Sequence, residues 1–192
     1  MVMGSADLPD RLDHYFSEMS SLQGGFHQQV RDSYGRMVEE SYGTLLVQRS
    51  GKFRWQTVTP FVQQIVGDGT RIWIYDPDLD QVTVRRQKNS LTNTPASLLT
   101  RRGSLSEQFI IYPVGNKGGY EWADLIPKKQ NGGYERLLVA MDDDGLKVID
   151  VEDSLGQRTR IELQDLLFNP SIPEHNFMFT PPDGVDVVGD LP

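Results

Sequence analysis

Between Leu45 and Trp55 the odd positions read Leu45, Val47, Arg49, Gly51, Phe53 and Trp55, four of them apolar. Residues two apart lie on one face of a strand, so this pattern predicts a strand pair with a dry inner face. The arginine in its middle is the anomaly. A buried guanidinium is costly unless its donors are used, so Arg49 either meets acceptors inside or ends its strand at the Ser50-Gly51-Lys52 turn and reaches water. Farther on, Arg71-Ile72-Trp73-Ile74-Tyr75 is apolar on both faces, which fits a strand covered on both sides. Gly67-Asp68-Gly69 supplies hairpin-turn chemistry before it. The aromatics Phe53, Trp55, Phe61, Trp73, Tyr75 and Phe109 fit two readings: the packed core of a β-domain, or the wall of a container for an apolar guest.

The flanking segments supply a cover. Asp7 to Leu22 reads as a helix: Asp7 caps it, Pro9 sits in the first turn, and Leu8, Leu12, Tyr15, Phe16, Met19 and Leu22 make one apolar stripe. Strands are predicted over Gly25–Tyr34 and Arg36–Gln48. Thr94-Pro95 caps a short helix, Ala96–Thr100, carrying Leu98 and Leu99. Then come predicted strands at Gln108–Val114, Gly119–Leu125, Tyr134–Met141, Leu146–Asp153, Arg158–Leu163 and His175–Thr180, separated by Gly-, Asn- and Asp-rich turns. The fold class is mainly β with an α lid: one curled antiparallel sheet of about eleven strands forming an unclosed barrel. Residues 1–6 read as an engineered scar replacing a removed export signal, and 7–192 as one domain.

Several functions are disfavoured by composition. The formal charge of −8 gives no basic stripe for nucleic acid and no attraction to an anionic membrane surface. No cysteine is present, which removes disulfides, zinc thiolates and thiol nucleophiles together. No apolar run approaches the length of a membrane-spanning helix, so stable membrane insertion is not expected. Asp76-Pro77-Asp78-Leu79-Asp80 imitates the start of a calcium loop, but Gln81 and Gln87 stand where that loop needs glycine and glutamate, leaving an Asp-rich turn. The three histidines, His14, His27 and His175, are far apart and lack ligand-like spacing. No nucleophile elbow, phosphate loop or dinucleotide fingerprint occurs. Neither an enzyme, a metal nor a cofactor is expected.

Read together and in order, Arg49, Gly51-Lys52-Phe53-Arg54-Trp55, Pro60, Gly67-Asp68-Gly69, Trp73-Ile74-Tyr75-Asp76-Pro77 and Gln81-Val82-Thr83-Val84 carry a likeness that continues through Asn93-Thr94-Pro95-Ala96-Ser97-Leu98-Leu99, Leu125-Ile126-Pro127-Lys128 and Phe177-Met178-Phe179-Thr180-Pro181-Pro182-Asp183-Gly184-Val185. From about Leu8 to Val188 the chain resembles the periplasmic outer-membrane lipoprotein carrier family (LolA). The resemblance implies a monomeric periplasmic chaperone without cofactor. Its partners would be acylated lipoproteins, an inner-membrane ABC transporter that loads it and an outer-membrane receptor that unloads it. It further implies that Arg49 locks the lid by hydrogen-bonding carbonyl groups of the lid helices. Phe16, Met19, Leu45, Val47, Phe53, Trp55, Ile65, Trp73, Tyr75, Leu98 and Leu99 would line the acyl-chain cavity. Ser50 follows the arginine where the family usually has proline. The alternative reading is a lipid- or signal-sensing half-barrel regulating a periplasmic protease or receptor.

Overall fold

The computed structural model describes residues 7–87, 95–101, 103–129 and 134–190. Its strands are β1 (Ser21–Arg31), β2 (Met37–Gln48), β3 (Lys52–Thr59), β4 (Gln63–Asp68), β5 (Arg71–Asp76), β6 (Gln81–Arg86), β7 (Phe109–Lys117), β8 (Tyr120–Pro127), β9 (Tyr134–Asp142), β10 (Gly145–Asp153), β11 (Arg158–Phe168) and β12 (Asp186–Gly189). The helices are α1 (Leu8–Glu18), α2 (Pro95–Thr100) and α3 (Leu105–Gln108). All twelve strands join one sheet, in the order β12-β6-β5-β4-β3-β2-β1-β11-β10-β9-β8-β7. The sheet is open, with β12 and β7 as its edges, and it curls around one large apolar cluster covered by α1 and α2. Every neighbouring pair is antiparallel except β12 with β6.

Three sequence expectations are corrected. The first helix stops at Glu18, and Leu22 belongs to β1, because the main chain after Met19 is captured by the sheet: Arg49 N–H donates to Ser20 O at 2.9 Å and Ser21 pairs with Gln48. Spacing alone could not end the helix, since Leu22 continues its apolar stripe and, as a residue of β1, is also fully buried. Second, His175–Thr180 is not a strand. Glu174–Phe177 is a 3-10 turn, and the chain after it lies over the outer face of the sheet. Third, β4 and β12 are additional strands, and β12 pairs in parallel with β6. The Asp-rich segment Pro77–Leu79 is a 3-10 turn closed by Asp80 in the left-handed region, which joins β5 to β6 as turn chemistry requires. Thr94, the expected cap of α2, lies outside the described residues, as do residues 1–6. Among the described residues no helix is long and apolar enough to cross a membrane.

Candidate functional site

The inner wall follows from register. Val47 stands opposite Phe53, Phe53 opposite Gly67, and Gly67 opposite Ile72; Leu45, Trp55, Ile65 and Ile74 form the next row in the same way. Two glycines make room for its aromatics. The Phe53 ring lies across Gly67, where a Cβ would sit 2.2 Å from it, and a Cβ on Gly43 would press on Phe26 at 2.8 Å. Phe26 therefore packs flat enough to meet Trp55, ring centroids 4.4 Å apart.

The lid fills much of this wall. Asp7 caps α1, accepting from Asp10 N–H at 3.2 Å, and the helix turns Leu8, Leu12 and Phe16 into the concavity. Met19, Leu98 and Leu99 join them, while Ile65 and Ile74 are only partly covered. Each such side chain contributes about 1.5–3 kcal/mol by leaving water. Tyr15 seals the flank against Phe168, with centroids 4.7 Å apart, and burial pushes its phenol up to about 12.

Trp73 and Tyr75 are not part of this wall. Trp73 stands opposite Val66 and Tyr75 opposite Gln64, which puts both on the outer face, 5.8 and 5.9 Å from the Phe179 ring. Trp73 also donates its indole N–H to Asp68 at 3.0 Å. Period two assigns Ile72 and Ile74 to the cavity side instead. Because every residue from Ile72 to Tyr75 is apolar, the sequence contains no polar marker of the wet side. Phe26 and Ile111, which the sequence pattern did not single out, also belong to the inner cluster.

Arg49 keeps the inward direction of Leu45 and Val47, although β2 has ended, and is 9% exposed. Its guanidinium donates to Phe16 O on α1, to Arg101 O just beyond α2, and to Gly103 O at 2.6 Å before α3. One cation thus binds main-chain carbonyls from both parts of the lid. Burial lowers its pKa, yet a guanidinium remains charged. With Ser50 in place of proline, the turn still delivers Arg49 to the lid.

Other ties hold α1 alone. Arg11 donates to Glu121 at 2.5 Å and to Asp142 O at 3.2 Å. Asp13 accepts from Ser106 N–H at 2.7 Å and from its hydroxyl at 3.0 Å, while Asn169 donates to Glu18 O at 2.9 Å. No group of three or more His, Asp or Glu among the described residues is placed to hold a metal ion.

The family model for "Outer membrane lipoprotein carrier protein LolA" matches residues 17–180. The outer-membrane lipoprotein carrier protein of Methylobacillus flagellatus is 39% identical over 185 residues, covering 96% of this chain and 90% of that protein. Among solved structures, an uncharacterized conserved protein from Thermus thermophilus superposes with a TM-score of 0.57 at 13% identity, covering 93% of this chain and 94% of the other. A LolA superfamily protein from Nitrosomonas europaea does so with a TM-score of 0.52 at 14% identity, covering 88% and 95%. Those two likenesses concern the fold alone. The match of family model and sequence over nearly the whole length makes this chain a member of the outer-membrane lipoprotein carrier (LolA) family.

Proposed function

We propose that the protein is a periplasmic chaperone that carries lipoproteins by sheltering their acyl chains against the concave wall. It takes them from an inner-membrane ABC transporter and gives them up to an outer-membrane receptor. The observation that carries this reading is a buried arginine, Arg49, that holds two separate lid segments over an apolar, aromatic-rich wall. Lifting this lid breaks the Arg49 hydrogen bonds and uncovers Leu12, Phe16, Leu98 and Leu99, a cost that burial of the cargo's acyl chains offsets.

Burial supplies the affinity. Each methylene removed from water contributes about 0.8 kcal/mol, so one chain of roughly fifteen carbons contributes on the order of 10 kcal/mol. Lid closure supplies the release. In the closed form Leu12, Phe16, Leu98 and Leu99 cover the wall that acyl chains would use, so bound cargo holds the lid away and leaves the Arg49 acceptors unmet. That unmade contact offsets part of the burial gain and lets cargo move on to a tighter receptor. The cycle consists of binding and release, with no chemical step.

Incubation with spheroplasts bearing mature lipoproteins and the transporter tests the proposal. The expected result is a soluble one-to-one complex of this protein with lipoprotein. If lipoproteins stay in the membrane fraction while a known carrier releases them in parallel, the reading is wrong.

A further inference from the structure

The concave face changes character along its strands. On β3 the inward residue after Trp55 is Thr57; on β4 its partner Gln63 precedes Ile65; on β5 Asp76 follows Ile74. On β2 the inward series runs Leu45, Gly43, Ser41. The greasy wall therefore continues, on the same face, into a polar collar where Gln63 donates to Asp76 at 2.7 Å. The collar opens into a groove of about 700 Å³ at the end of the barrel where β3 turns into β4. Phe61 and Leu79 stand on its rim, 71% and 70% exposed.

Two independent features point to what enters. The first is Ser41, which lines the groove, is 2% exposed, and has a hydroxyl with no hydrogen-bond partner among the described residues. A buried donor left unused costs the free protein stability and is ready for an incoming acceptor. The second is charge: the lining includes the carboxylates of Glu39, Asp76 and Asp78 and no lysine or arginine, while the Glu40 carboxylate turns to the other face and binds His27, Gln29 and Tyr42. An anion placed there meets like charge, whereas an uncharged acceptor does not.

We propose that this collar receives the head of the cargo lipid, specifically an uncharged glyceryl diester, whose carbonyl oxygen accepts from Ser41. The acidic lining excludes phosphate-bearing heads. This inference rests on the carrier reading and extends it to selectivity. Acyl chains of a lipoprotein and of a membrane phospholipid are chemically alike, so a wall that recognises tails cannot choose between them. The choice must be made at the head, and repulsion of the wrong head is an effective way to make it. Ser41 and the acidic residues are thus specificity determinants, and the wall supplies affinity.

The test displaces the neutral fluorophore N-phenyl-1-naphthylamine from the full chain with two competitors that share the same tails. One is an N-acetylated, C-terminally amidated S-(dipalmitoylglyceryl)-cysteine tripeptide; the other is dipalmitoyl phosphatidylglycerol. The lipopeptide is expected to displace the probe at about tenfold lower concentration. Glu39→Gln with Asp78→Asn should close that gap by improving the phospholipid. Ser41→Ala should weaken the lipopeptide about fivefold, the effect of one hydrogen bond, with an unfolding midpoint equal to or above that of the parent. Equal displacement by both competitors in the parent protein, or an unchanged gap in the double variant, overturns the head-group proposal and leaves the carrier reading standing. A parent protein that binds no probe at all overturns the carrier reading itself.

Discussion

The β3 to β6 half of the sheet buries apolar side chains on each of its faces, yet the two covers are built differently. On the concave side α1 and α2 lie over Phe53, Trp55 and Ile72. On the convex side Val66, Val82, Val84 and Phe177 are fully buried, and Phe179 in the segment after β11 packs on Trp73 and Tyr75. Each cover is gripped by an arginine from the β2–β3 hairpin region that donates to main-chain carbonyls. Arg49 serves the inner lid. Arg54 serves the outer cover, donating to Asn176 O at 2.6 Å and to Met178 O at 3.0 Å. The covers differ in how they are tied beyond these arginines. The outer one continues into β12, which pairs with β6 over four residues, and at Gly189 a Cβ would collide with Val84 O, so the two strands lie too close for any side chain. Among the described residues the inner lid makes no strand pairing of its own; beyond packing, it is held by side-chain contacts. A cover that adds its own strand to the ladder opens only with the sheet edge, whereas a helical cover that packs without pairing can lift while the ladder stays intact.

The largest expected effect tests the structural side. Phe177→Ala should remove about 3–5 kcal/mol of global stability, read as a lower urea midpoint, because it empties a packed site under a fixed cover. A loss below about 1 kcal/mol would mean that the outer cover is not part of the cooperative fold.

Next comes the inner latch. Arg49→Leu removes charge-assisted hydrogen bonds to three carbonyls and should favour the open lid by about 3 kcal/mol. Amide exchange in α1 should then quicken about a hundredfold while β12 is unchanged, and bound lipoprotein should be retained where the parent protein hands it to its receptor. Equal acceleration in α1 and β12 would erase the distinction between the covers. Arg54→Leu should show the reverse pattern with a smaller size. It should lose about 2 kcal/mol of global stability, with α1 exchange and cargo transfer unaltered.

The smallest effect is pH-linked and lies at the β4–β5 turn. Burial alone would raise the Asp68 carboxyl, but hydrogen bonds from Arg71 N–H, the Trp73 indole and Thr70 N–H outweigh it and hold it below the usual carboxylate range. A folded-state value below the unfolded one gives stability above the ordinary carboxylate pKa of about 4, lost as pH falls through the folded value. The stability gap between the parent protein and Asp68→Asn should therefore be present at neutral pH and narrow in acid. A gap independent of pH would mean that the carboxylate's charge is not what these donors hold.

Sequence patterning assigned the inner face of β2 and β3 better than it assigned the borders of elements. Phe53 and Trp55 alternate with Lys52, Arg54 and Gln56, which fixes their parity; Leu45 and Val47 share it despite the apolar Leu46 between them, and the structure places all four inside. Arg49 shares that parity, which marked it before any partner was known. Trp73 and Tyr75 went to the wrong face because Ile72 to Tyr75 offers two equally apolar parities. Leu22 continued the helical stripe of α1 and also fits β1, so its spacing could not choose between them.

By itself, the sequence determined the curled antiparallel sheet, the apolar inner wall and the helix able to cover it, because period two and period 3.6 are written in local polarity. Only the tertiary structure decided which carbonyls Arg49 meets, which face of β5 looks inward, and that the four-residue segment Asp186–Gly189 forms one edge of the sheet. Those outcomes depend on residues brought together from far along the chain, and on a strand too short and too ordinary in composition for its own pattern to disclose a partner.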